Sequence, residues 1–422
     1  MRKYLTRENG IFVLFVLYLA FIMNVPYSIF QTSFSSWLPY PYASFCLVLA
    51  LIGSIKGKTI RLSKERWEIL RYFALPIVAV SVVSAVTAVT VHSTGFAVMN
   101  SFRKALDVCM AYAFGYFLVR KYREKTVTLL VIAGWVTYST VIIRYVMAGG
   151  RSPFGVANGI TLEVHFLTYM FAMIFITRLL KKKKTKADIW ILVACGVGII
   201  LGDKRALYLA MAVALGIYFL FRKILKYQTK GLLALTAGMV LVAVAWVWFV
   251  HSGAFEATVK MLGIRDNSRL RMWNYFQKDY SFSLFYWGRG LTYTDIILAT
   301  DPGILLLIVK PITLHNDILR SYIGYGFLPF CYFMWNFLHE RVFFLVKKQR
   351  IESAWIFFTV TVAYFVINFF DNNLFVSSVS IVYFVLWYEL LGKGQGEKLP
   401  AAKEKTRSSP DAGPLAGGNE EP

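Results

Sequence analysis

The chain has 422 residues, 57% hydrophobic and 16% charged, where a soluble domain has about 45–50% and about 25%. So few charges cannot clothe a globule of this size in water, which excludes a soluble globular enzyme. Lysine and arginine outnumber aspartate and glutamate 46 to 23. In so apolar a chain that excess fits the cytoplasmic loops of a membrane protein better than a nucleic-acid surface.

A membrane helix takes roughly 20 mostly apolar residues. Windows of that kind fall at 11–30, 37–55, 72–91, 101–119, 127–147, 160–180, 187–202, 206–222, 231–250, 316–338, 353–370 and 374–391. Met1-Arg2-Lys3 leads into the first window without a small-residue cleavage site, so it reads as a membrane helix and not as a removed signal. Only Asp203-Lys204-Arg205 separates the seventh window from the eighth. The loops on the N-terminal side carry 27 basic residues and the short loops opposite carry six. That asymmetry predicts cytoplasmic termini and a multi-pass protein of the cytoplasmic (inner) membrane. Cys46, Cys109, Cys195 and Cys331 all lie in apolar segments without metal-ligand spacing, and read as core or lipid-facing thiols.

The expected fold is therefore all-α: a polytopic membrane helix bundle of about twelve transmembrane helices. Residues 1–250 hold spans one to nine and 316–391 hold spans ten to twelve. Residues 392–422, rich in glycine and proline, read as a disordered cytoplasmic tail. Residues 251–315 form one large, partly helical extracytoplasmic loop. Its aromatic residues (Trp273, Tyr275, Phe276, Tyr280, Phe282, Phe285, Tyr286 and Trp287) predict that it folds against the bundle or the membrane surface.

Three features on the outer side can carry chemistry. Gly202-Asp203-Lys204-Arg205 places two cations in a tight turn, against the charge rule. Arginine there suits bidentate recognition of phosphate, although a hairpin turn with snorkelling charges has the same sequence. In the loop, a helix starting near Arg269 and capped by Asn267 or Ser268 puts Arg269, Trp273, Phe276 and Tyr280 on one stripe. Arg271 then points about 200° away. An interfacial amphipathic helix is the alternative reading. Third, Leu314-His315-Asn316-Asp317 opens a span that continues through Gly324-Tyr325-Gly326. An imidazole there can take a proton from a substrate hydroxyl. Weaker candidates are Glu163 and His165 near span six, and Arg103 with Asp107 in span four. Asp371-Asn372-Asn373 reads as no more than the last outer turn.

In this order and topology, the three segments resemble the O-antigen ligase and O-antigen polymerase family of bacterial membrane glycosyltransferases. The family pattern has an outer turn with an Arg, then an Arg four residues before a Trp, a Gly-x-Gly, and His-Asn-x-x-Leu entering a Gly-containing helix. This chain supplies Arg205; Arg269 with Trp273; Gly288 with Gly290; and His315-Asn316 with Leu319 and Gly326. It departs at the first turn, where Ser or Thr commonly precedes the Arg and Lys204 stands instead.

The resemblance implies a glycan donor on polyprenyl (undecaprenyl) pyrophosphate, transferred with inversion to an acceptor sugar hydroxyl. This would take place at the outer face during assembly of O-antigen, capsule or exopolysaccharide. Arg205 and Arg269, with Lys204, would hold the pyrophosphate, and His315 would be the general base. Trp273, Asn316, Asp317, Gly288 and Gly290 would support them. No metal or other cofactor is expected, since the cations of the site serve the leaving group. Expected partners are the lipid-linked donor, a glycan or lipid-core acceptor, membrane lipids and other polysaccharide-assembly proteins, and no nucleic acid. The expectation leans slightly to a polymerase over a ligase that uses lipid A-core. A polysaccharide flippase or transporter is the alternative of another class.

Overall fold

The structure is a computed structural model, described here for residues 55–56, 59–60, 75–92, 119, 125–147, 165–225, 228–263, 269–307 and 314–392. Window 11–30, nearly all of 37–55 and of 101–119, the tail beyond Gly392, the proposed cap at Asn267 or Ser268, and Arg103, Asp107 and Glu163 lie outside these residues.

The described chain is helical apart from one antiparallel pairing of β1 (Ile55–Lys56) with β2 (Thr59–Ile60). The bundle helices are α1 (Leu75–His92), α2 (Lys125–Met147), α3 (His165–Leu179), α4 (Lys186–Gly202), α5 (Arg205–Leu225) and α6 (Thr229–His251). The loop contributes α7 (Ala254–Met261), α8 (Arg269–Phe276), α9 (Tyr293–Thr300) and α10 (Pro302–Leu307). Then follow α11 (Asp317–Tyr325), α12 (Phe327–Trp335), α13 (Arg341–Lys347), α14 (Ile351–Ile367) and α15 (Ser377–Gly392).

Two of these, α5 and α6, are long and apolar enough to cross a membrane. Their outward faces are as apolar as their buried ones: Leu209, Phe219 and Leu220 on α5, and Leu241, Val242 and Trp248 on α6, are exposed. A water-facing helix would carry polar residues on that side.

The core lies where α3, α14 and α15 meet, with α4 against α3 and α5 against α14. Close approach of α3 and α4 depends on Gly198 and Gly202, one turn apart on α4. A Cβ at Gly198 would stand 2.4 Å from Phe171, and one at Gly202 would stand 2.2 Å from Thr168 Oγ1. This is the small-xxx-small packing common between apolar helices. At the far end of the bundle, buried Arg178 donates to both carboxylate oxygens of Glu389 at 2.8 and 2.9 Å. Thr185 and Asp188 form a capping box at the start of α4, which satisfies two otherwise unpaired amides.

The window at 316–338 is not one continuous helix. It breaks at Gly326 (φ 82°) between α11 and α12, and a π-helical turn, Asn336–Glu340, joins α12 to α13. The break receives the loop. Arg289 N donates to Ile323 O at 2.8 Å, Gly290 N to Gly324 O at 2.9 Å, and Phe327 N to Tyr286 O at 2.8 Å. Gly288 (φ 83°) and Gly326 touch backbone to backbone; a Cβ on Gly326 would meet the Trp287 carbonyl carbon at 2.4 Å. The Gly-x-Gly of the loop is thus a docking device, and its carbonyl partners are those that the break releases.

Candidate functional site

Four separate stretches meet at one end of the bundle. The α4–α5 turn is made by Asp203 in a left-handed conformation (φ 40°), its N–H bonded to Ile200 O. That turn brings Lys204 inward, half-buried, and leaves Arg205 exposed at the first residue of α5. The α14–α15 turn supplies buried Asp371. Its Oδ2 accepts from Tyr169 of α3 at 2.6 Å and lies 3.5 Å from Lys204 Nζ. Its Oδ1 lies 3.6 Å from His315 Nδ1.

His315 itself precedes the cap of α11. Asn316 is the N-cap and accepts from Leu319 N at 3.0 Å. That leaves His315 in a left-handed backbone conformation (φ 52°). Such a conformation in a residue with a side chain costs of order 1–3 kcal/mol and is kept where the surroundings fix it. The side chain is 34% exposed, yet Nδ1 is buried without a hydrogen bond. Its accessible edge is therefore the rest of the ring, with Nδ1 turned to the carboxylate. A carboxylate at one ring nitrogen and an open second nitrogen suit an imidazole for proton transfer.

Asp317 brackets the turn that carries Asp371. Its N–H donates to Asn368 O at 2.9 Å, and its fully buried carboxylate accepts from Leu374 N at 2.7 Å. Arg320 reaches the same carboxylate at 3.4 Å and also pairs with Asp295 of α9, tying the loop to α11.

The loop helix α8 lies over this end. Arg269 donates to Phe370 O at 2.8 Å, next to Asp371. A guanidinium carries five N–H donors, so that bond uses only one. Trp273 is buried, donates to Leu314 O at 2.9 Å and packs against Trp246 of α6 at 6.1 Å between ring centres. Phe276 is buried too, while Arg271 is exposed. The regular helix ends at Phe276; Tyr280 lies past a 3₁₀ turn, in extended backbone, and is still buried.

Of the residues singled out in the sequence, Lys204, Arg269, Trp273, His315, Asn316 and Asp317 gather around the 368–374 turn. Arg205 lies beside Lys204 and faces outward. Gly288 and Gly290 belong to the loop–helix junction, not to this cluster. His165 opens α3.

The sequence predicts no more than a turn at 371–373, yet Asp371 stands at the centre of the cluster. Its partners lie up to 202 residues away, so no local spacing announces it; the one available signal was a carboxylate in an otherwise apolar stretch. Tyr169 was hidden for the same reason. Cys195 is buried and Cys331 half-buried, both free. Among the described residues no three His, Cys, Asp or Glu side chains group as metal ligands would.

No family model matches this chain, and no curated protein matches it.

Proposed function

We propose that the chain is a polytopic membrane glycosyltransferase of the O-antigen ligase and polymerase type. In this reading it has about twelve spans, cytoplasmic termini, and residues 251–315 outside. The observation that carries the reading is the convergence of His315, Lys204 and Asp371, with Arg269 anchored on the neighbouring residue of the same turn. Positive groups and one positioned imidazole are what glycan transfer from a lipid pyrophosphate needs.

The acceptor hydroxyl gives its proton to the open ring nitrogen of His315 as its oxygen attacks the anomeric carbon. Asp371 faces the other ring nitrogen and stabilises the imidazolium that forms. The bond from the anomeric carbon to the phosphate oxygen breaks on the opposite face, so configuration inverts. The charge that develops on the departing polyprenyl pyrophosphate is met by Lys204 and Arg269, with Arg205 at the exposed rim beside Lys204, a form of electrostatic stabilisation that is often the largest catalytic contribution. Asp371 holds Lys204 in place while it is shared with His315.

A transporter is the competing class, and the break at Gly326 is the feature that favours it, since broken helices line transporter sites. The loop amides of Arg289 and Gly290 already occupy carbonyls at that break, which leaves them unsuited to a passing ion. The deciding experiment supplies purified protein in lipid with a polyprenyl-pyrophosphate oligosaccharide. Extension of the lipid-linked glycan supports a polymerase, and transfer to lipid A-core supports a ligase. Movement of the lipid-linked glycan across the bilayer with no transfer to either acceptor overturns the proposal.

A further inference from the structure

The loop's aromatic residues divide into two groups. Trp273, Phe276 and Tyr280 are buried. Phe282 and Tyr286 turn inward and stack on Tyr322 of α11, with ring centres 6.1 and 5.5 Å away. Leu284, Phe285 and Trp287 turn outward, 59%, 84% and 62% exposed. The stretch from Ser281 to Gly288 contains no charged residue.

This tip is held in shape. Tyr286 N donates to Ser283 O at 3.1 Å and Phe285 N to Ser283 Oγ at 3.2 Å. The bonds to α11 and α12 at the Gly326 break fix its base. Large apolar side chains on a fixed turn lose little conformational freedom when something covers them.

What lies beside the tip indicates the cover. Thr87 Oγ1 of α1 approaches Trp287 O at 3.5 Å, and Gly290 is packed on Ala88. The same helix exposes Val82, Val83, Val86 and Val89, so the tip continues an apolar, uncharged helix face. Tryptophan at the end of such a face is characteristic of a membrane–water interface.

We propose that Leu284, Phe285 and Trp287 form an interfacial anchor. They would seat in the headgroup zone of the bilayer leaflet next to α1 and hold the loop, with α8 and Arg269, at the depth of a lipid pyrophosphate. This rests on the membrane reading above, and the test separates the two.

Single cysteines would replace Phe285, Trp287 or, as a control, exposed Leu241 halfway along α6, in a full-length chain whose four native cysteines are replaced. Each is labelled with an environment-sensitive fluorophore and placed in nanodiscs of phosphatidylethanolamine and phosphatidylglycerol. A thermal melt checks that each variant is folded. The expected result at Phe285 and Trp287 is blue-shifted emission, lost more to lipids spin-labelled near the headgroup than to those labelled near the chain end. At Leu241 that order should reverse. Iodide quenching at both tip positions without lipid quenching, while Leu241 is lipid-quenched, overturns the anchor and leaves the membrane reading standing. Absence of lipid quenching at all three overturns both. Tip labels shielded from iodide and lipid alike, only in discs holding two copies, would show a protein interface in place of the bilayer and also overturn the anchor.

Discussion

Replacing His315 with glycine separates a chemical role from a structural one. At φ 52° the histidine backbone carries a cost of order 1–3 kcal/mol that glycine does not. Glycine in turn loses about 0.5–1 kcal/mol through the greater freedom of the unfolded chain. The contact given up is a partly exposed pair with Asp371 at 3.6 Å, worth about 0.2–1 kcal/mol at such exposure. These opposing effects leave His315→Gly within about 1–2 kcal/mol of the wild type in stability. The barrier behaves differently. Loss of a general base costs about 10²–10⁴-fold in rate, or roughly 2.7–5.5 kcal/mol. The assay compares wild type, His315→Gly and His315→Ala for thermal unfolding in detergent, binding of the lipid-linked donor, and turnover. Donor binding should persist, because the cations are untouched, and the alanine variant should melt below the glycine one. Wild-type turnover in folded His315→Gly would remove the residue from the mechanism. A stability loss above about 3 kcal/mol in parallel with activity would make it a scaffold residue.

Arg269→Lys should lose most turnover, since lysine cannot keep a bond to Phe370 O and also present a planar fork, whereas Arg271→Lys on the exposed face should be mild; equal losses in two well-folded variants would refute the assignment. Asp371→Asn should lower turnover more than donor affinity, because the imidazolium that forms loses its counter-charge; equal loss of both, or of neither, would rule that role out. Gly326→Ala forces a Cβ to within 2.4 Å of the loop backbone at a left-handed position. It should lower stability by about 2–4 kcal/mol and increase protease cleavage within 281–292, and an intact, stable loop would show that the docking is not needed. Asp301 is held below the ordinary carboxylate range, chiefly by the Tyr275 hydroxyl and next by Gly303 N. A depressed carboxyl contributes stability that is present above its unfolded value near 3.8 and is lost as pH falls through the lowered one. Acid-side melts of Tyr275→Phe should therefore be less pH-dependent than those of the wild type.

The positions of the long helices were legible because each is a continuous apolar run; α5 and α6 start and end within about three residues of their windows, the ordinary error of boundary reading. The phase of α8 was legible as well: a four-residue spacing puts Arg269 and Trp273 on one face, and Trp273 is buried where Arg271 is exposed. The break at Gly326 was not. No charged residue marks it between Ser321 and Trp335, and only the approach of the Gly288 backbone gives the glycine its purpose. Asp371 was illegible for another reason. Its worth lies in Tyr169, Lys204 and His315, which local spacing cannot bring together. The same holds for Arg320, whose ion pair with Asp295 spans from α11 to the loop.

The placement of Asp371 has a consequence for the order of events during synthesis. Tyr169 leaves the ribosome 202 residues before its acceptor, an interval of about 10–40 s at about 5–20 residues per second. Tyr169 for all of that time, Lys204 for most of it and His315 for the last part lack the carboxylate that joins them. Only when α14 and α15 are in place can the cluster close. A chain cut short before that point would hold most of the described helices and leave Tyr169, Lys204 and His315 unjoined.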